Sequence, residues 1–114
     1  MKNLILGSFI LFSIIGCTTN PNQMRSGTPE SVNSSYKSPK DVAICISNNW
    51  ESHGVVNQRE LANGYSVSLS FGGNLHYLAD IAKNSTGSIT KSYKFMSIAI
   101  GGDPYLSAVT ECQT

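Results

Sequence analysis

Charge is scarce in this chain. Only 13% of its 114 residues are Asp, Glu, Lys or Arg, against roughly 25% in ordinary soluble domains. The formal net charge is +1, and Lys2 supplies one of the positives. Nucleic-acid binding needs a basic patch or stripe to neutralise phosphates. None is visible, and a solvated strand face accounts for Lys91 and Lys94. Histidine is equally rare. His53 and His76 lie far apart without H-x-x-x-H spacing, and the carboxylates are scattered. No metal and no cofactor is therefore expected. No G-x-S-x-G elbow is present. Neither Gly72-Gly73 nor Gly101-Gly102 belongs to a nucleotide fingerprint. The three cysteines include no C-x-x-C pair, which argues against dithiol redox chemistry.

What is present begins at the N-terminus with MKNLILGSFILFSIIGC. Lys2 forms a short basic start. Leu4 to Ile15 form an apolar segment interrupted only by Gly7, Ser8 and Ser13. This length fits a signal peptide and falls short of the ~20 residues a spanning helix needs. The run ends Ile14-Ile15-Gly16-Cys17, which resembles the lipobox of bacterial lipoproteins. There an aliphatic and a small residue precede an invariant Cys. Ile14 stands where Leu is common, and Ile15 where Ala or Ser is common. The plainer alternative is an ordinary cleaved leader with Cys17 as a bystander.

The resemblance covers residues 1–17 and implies specific chemistry. Cys17 receives a diacylglyceryl group, and a peptidase then cuts between Gly16 and Cys17. Each buried CH₂ contributes about 0.8 kcal/mol, so one acyl chain holds marginally and two hold stably. Thr18 rather than Asp after the Cys implies, in a double-membraned host, an outer-membrane lipoprotein facing the periplasm. The expected organisation is a signal peptide at 1–16, the lipidated Cys and a disordered tether at 17–37, and a small α+β domain at 38–114. The tether assignment rests on composition. Ser, Thr, Asn, Pro and Gly dominate, and only Met24, Val32 and Tyr36 are sizeable apolar residues. Such a segment buries too little to offset ordering entropy. It would let the domain stand roughly 25 Å from the membrane.

A domain below ~80 residues has a thin core and needs a staple. With Cys17 lipidated in an oxidising compartment, Cys45 and Cys112 remain as an even pair and read as a disulfide. It is worth about 4 kcal/mol in the chain-entropy model. Ser38-Pro39 with Asp41 signals a helix start, and Val42, Cys45, Ile46 and Trp50 then share one stripe. Asp103-Pro104 repeats the signal, with Tyr105, Ala108, Val109 and Cys112 on one face. Gly101-Gly102 could offer backbone N–H groups to an anion; a turn feeding a capped helix is the simpler account.

Between the helices the period changes to two. Tyr65, Val67, Leu69 and Phe71 alternate with Ser66, Ser68 and Ser70, and Leu75, Tyr77, Ala79 and Ile81 continue the pattern. A three-residue loop Gly72-Gly73-Asn74 sets Phe71 opposite Leu75, Leu69 opposite Tyr77 and Val67 opposite Ala79. Upstream, a two-residue Asn63-Gly64 turn would set Glu60 and Gln58 against Val67 and Leu69. A three-residue loop with Gly64 left-handed sets Leu61 opposite Tyr65 and Val55 opposite Phe71. The apolar face favours the latter. Ile89, Tyr93 and Phe95 suggest a fourth strand, and residues 96–100 are ambiguous between strand and buried connector. The expectation is an N-terminal helix, an antiparallel meander of three to four strands and a short C-terminal helix, in two layers with a disulfide staple.

No catalytic residue is expected. Glu51 beside His53 is the one pair suited to proton transfer, and a solvated helix end accounts for it too. The leading functional expectation is a non-catalytic, membrane-anchored lipoprotein that binds an envelope protein or supports an envelope assembly. A protective binder is the alternative: a hydrolase inhibitor, an immunity protein or a phage-exclusion factor. A small periplasmic enzyme is the third.

Overall fold

The computed structural model describes residues 20–95 and 102–114. Gly16, Cys17 and the ambiguous stretch 96–100 lie outside the described residues. In chain order the elements are α1 (Pro21–Arg25), β1 (Ser31–Ser35), α2 (Pro39–Trp50), β2 (Val55–Leu61), β3 (Gly64–Phe71), β4 (Asn74–Lys83), β5 (Ser88–Lys94) and α3 (Pro104–Glu111). The strands form one antiparallel sheet ordered β1-β5-β4-β3-β2. The α+β class is the expected one, with five strands in place of three or four.

Both additional elements correct the tether. Asn20 accepts the Gln23 amide at 2.9 Å, while Gln23 Oε1 accepts the Asn20 N–H at 3.2 Å. This reciprocal cap, with Pro21 in the first turn, satisfies donors that the helix itself cannot. The folded unit therefore begins well before residue 38, and α2 is not its first element. β1 then pairs with β5, setting Ser31, Asn33 and Ser35 opposite Ser92, Thr90 and Ser88. Those positions point to a layer that is itself small and polar, so the strand is held without apolar residues.

The two longer helices form where their caps were expected. Ser38 Oγ accepts the Asp41 amide at 3.2 Å. Val42, Ala43, Ile46 and Trp50 make the buried stripe of α2. Asp103 Oδ1 accepts the amides of Tyr105 and Leu106 and starts α3. Both helices cover one sheet face, meeting Val67, Leu69, Ala79 and Ile81. Full burial of a side chain such as Ile46 or Leu69 contributes roughly 1.5–3 kcal/mol. Cys45 and Cys112 join α2 to the end of α3, with Cα atoms 5.7 Å apart across 67 residues of sequence.

The hairpins depart from expectation by one residue each. Gly72 and Gly73 alone form the β3–β4 turn, with φ of 56° and 83°, and Phe71 pairs with Asn74. Two consecutive left-handed residues make the tight turn that matches strand twist. Leu69–Tyr77 and Val67–Ala79 pair as expected, but Ser70 pairs with Leu75, and His76 is accommodated by a bulge. Leu75 is thereby sent to the opposite face, where it joins Met24, Leu78 and Tyr93.

In the β2–β3 hairpin the turn residues are Ala62 and Asn63, and Leu61 pairs with Gly64. Gly64 is not left-handed; a Cβ there would collide with the Ile81 carbonyl oxygen. Gln58 therefore lies opposite Val67 and Val56 opposite Leu69. β2 is an edge strand with little burial, so its apolar residues do not set its register. Gln58 instead accepts a 2.8 Å hydrogen bond from Ser47 on α2, and Val55 is left 71% exposed.

Candidate functional site: two polar networks on opposite faces

On the helix-covered face, β4, β5 and the α3 cap converge on Asp103. Its Oδ2 accepts the Tyr77 hydroxyl at 2.9 Å and the Lys94 ammonium at 3.2 Å. Lys94 and Asp103 side chains are only 6% and 13% exposed. The expected solvated face thus holds for Lys91, which is exposed. It fails for Lys94, since residues three apart on a strand point to opposite faces. Burial pushes the Asp103 carboxyl up. The Tyr77 hydroxyl, the Leu106 amide, Lys94 and the Tyr105 amide outweigh it and hold the carboxyl below its ordinary value. Burial, and then the bond to Asp103, push the Tyr77 phenol above its usual range.

Aromatic rings surround this network. Tyr105 lies 4.8 Å from Tyr77, 5.6 Å from Phe71 and 5.3 Å edge-on from His53. Trp50 donates its indole N–H to the Tyr105 carbonyl at 3.1 Å. Glu51 ends α2, donating its backbone N–H to Ser47. Glu51 and His53 are both exposed. The His53 ring packs edge-on against Tyr105.

Toward β1 the same face becomes a strip of small polar groups. The Ser31, Ser88 and Ser92 hydroxyls and the Asn33 side-chain Oδ1 are buried without a hydrogen-bond partner among the described residues. Gln113 reaches the strip, its carbonyl accepting from Ser35 at 2.5 Å. It anchors itself by donating Nε2 to the Val109 carbonyl at 2.8 Å.

The opposite, open face carries the second network. Register places Arg59, Ser66, Asp80, Lys91 and Val32 in one row crossing all five strands. Arg25 of α1 grips the row. Its Nε and Nη2 donate to the two Asp80 oxygens at 2.7 and 3.0 Å, and Nη2 also donates to Ser66 at 2.9 Å. The hydrogen bond to Asp80 raises the Arg25 pKa. Burial, and then Asp80, raise that of Tyr93 nearby. A bidentate fork of this kind fixes orientation as well as charge. Beside it, Gln23, Met24, Gly27, Thr28, Tyr93, Lys94 and Phe95 line a cleft of about 370 Å³.

The Arg25–Asp80 grip escapes a compositional reading because Arg25 sits in the apparent tether. The signal that could have found it is Asn20-Pro21-Asn22-Gln23, a capping box with Pro in the first helical position. Of the residues singled out in sequence, Cys45 and Cys112 are brought together and Cys17 lies outside the described residues. Among the described residues, no three His, Cys, Asp or Glu side chains gather where they could hold a metal ion. No described helix is long and apolar enough to cross a membrane. No family model, no curated protein and no solved structure matches the chain.

Proposed function

We propose that the chain is the precursor of a lipid-anchored envelope protein, cut between Gly16 and Cys17 and acylated on Cys17. Its folded domain is a non-catalytic module that binds an envelope protein or supports an envelope assembly. The observation that carries this reading is the segment MKNLILGSFILFSIIGC, a short apolar leader ending in a small residue and Cys. The Cys45–Cys112 bridge supports it, because disulfides persist in oxidising compartments. The bridge also leaves Cys17 as the odd cysteine of three.

The non-catalytic part rests on how the polar groups are used. Asp103 is occupied by Tyr77, Lys94 and two cap amides, and Asp80 by Arg25. These contacts tie elements together. With Thr18 following the lipidated Cys, the location in a double-membraned host is the outer membrane, facing the periplasm.

The test is metabolic labelling of bacteria expressing the full chain with a palmitate analogue. The parent takes up label and runs at mature length. Cys17→Ser takes up none and stays at precursor length. Normal maturation and membrane retention of Cys17→Ser would overturn the reading.

A further inference from the structure

We propose that the open face of the sheet, the one α1 crosses, lies against the surface of the membrane. This rests on the lipid-anchor reading above and adds which side of the domain meets the lipid. The length of chain before α1 is the first ground. Cys17 stands three residues ahead of Asn20, the α1 cap. Three residues span at most about 11 Å, only a few ångströms more than the roughly 5–8 Å of one headgroup layer. A domain held this short cannot stand clear of the bilayer. α1 is fixed to the open face through Met24 against Leu75, Leu78 and Tyr93 and through Arg25 on Asp80, so the lipid is delivered on that side.

Charge is the second ground. The open face carries Arg25, Arg59 and Lys91 against Asp80, with the exposed Glu30 just ahead of β1, and Arg59 and Lys91 are exposed. The helix-covered side carries Asp41, Glu51, Glu60, Asp103 and Glu111 against Lys40, Lys83 and Lys94. The excess of acids thus lies on the helix-covered side, and the exposed Arg59 and Lys91 lie on the side toward the anchor. Anionic headgroups attract such a side.

Exposed apolar groups are the third. Val32 and Val55 point out of the open face at 56% and 71% exposure, and Phe95, 50% exposed, lines the cleft beside α1. Apolar side chains interspersed with cations are the composition of surfaces that rest in the interface.

The test uses the acylated full chain, in detergent and reconstituted into phosphatidylethanolamine–phosphatidylglycerol vesicles. Amine reactivity toward a water-soluble acylating reagent is read by mass spectrometry. Lys91 becomes at least about threefold less reactive in vesicles while Lys40, on α2, is unchanged, as expected for an interfacial open face. A second readout adds Val32→Trp or Ile44→Trp and a nitroxide on the lipid headgroup. Emission from Val32→Trp is quenched and that from Ile44→Trp, on exposed α2 surface, is not. Equal protection of the two lysines, or equal quenching of the two reporters, would overturn the proposal. Palmitate labelling and co-flotation with vesicles separate the two readings. A labelled, floating protein with equally reactive lysines sinks only the orientation, whereas an unlabelled protein sinks the anchor and the orientation with it.

Discussion

On the helix-covered face, Val67, Leu69, Ala79 and Ile81 meet α2 and α3 in a continuous apolar layer closed by a disulfide. On the open face, Met24, Leu75, Leu78 and Tyr93 form a cluster of four beside the Arg25–Asp80 pair. The covered face can lose little and remain folded, because both helices and the staple depend on it. The open face fastens one five-residue helix. The difference separates two tasks: one side makes the fold, the other sets where the N-terminal segment departs.

The largest effect should come from the staple. Replacing Cys45 and Cys112 together by Ala is expected to lower stability by about 4 kcal/mol in the chain-entropy model. Urea unfolding of the double variant measures it, and a loss near zero would mean the covered face holds without its covalent link. Next come the two apolar clusters. Leu69→Ala should cost about 3 kcal/mol, and Met24→Ala about half of that, since a short helix can settle into the gap. Equal costs would dissolve the contrast between the faces.

Asp103→Asn follows, at about 2 kcal/mol near neutral pH, because Lys94 is left buried without its counter-charge. Asp103 has a lowered folded-state pKa. Its contribution is therefore complete above the ordinary carboxylate pKa of about 4 and is lost as pH falls through the lower folded value. Stability measured against pH should fall less steeply on the acid side in Asp103→Asn than in the parent; parallel curves would remove Asp103 from the acid response. The smallest effect belongs to Arg25→Ala. The pair is partly exposed, so the global loss should stay near 1 kcal/mol or below and shrink in salt. Amide exchange should nevertheless quicken across Pro21–Arg25, which marks that helix as a local unit. Unchanged exchange there would show that Met24 alone secures α1.

Legibility in the sequence followed the same division. Ser38-Pro39 and Asp103-Pro104 mark both helix starts, and the buried stripes of α2 and α3 place Cys45 and Cys112 within reach of each other. These elements were readable because capping and apolar periodicity agree in them. β1 was not, because its inward residues Ser31, Asn33 and Ser35 meet Ser92, Thr90 and Ser88 rather than an oil-like layer. Apolar pattern carries no information about a strand whose partner surface is polar. The β2 register was missed for a related reason: at an exposed edge, Gln58 bonding to Ser47 is compatible with leaving Val55 in solvent. The Arg25–Asp80 grip joins positions 55 residues apart, and no local rule connects them.

The bulge at His76 has a consequence for how the chain can change length. Ladder pairs run without a break from Leu69–Tyr77 on one side and from Ser70–Leu75 on the other, with His76 interposed. An extra residue in a strand is a local frame shift already absorbed by the backbone. Removing His76 leaves every other pair of the hairpin in step, with Leu75 still on the open face and Tyr77 still beneath Asp103. A deletion farther along β4, as at Asp80, would instead turn either the residues beyond it or those between it and the bulge to the wrong side. Single-residue deletions, ordinarily among the most damaging lesions a strand can suffer, thus have a tolerated stretch at this bulge.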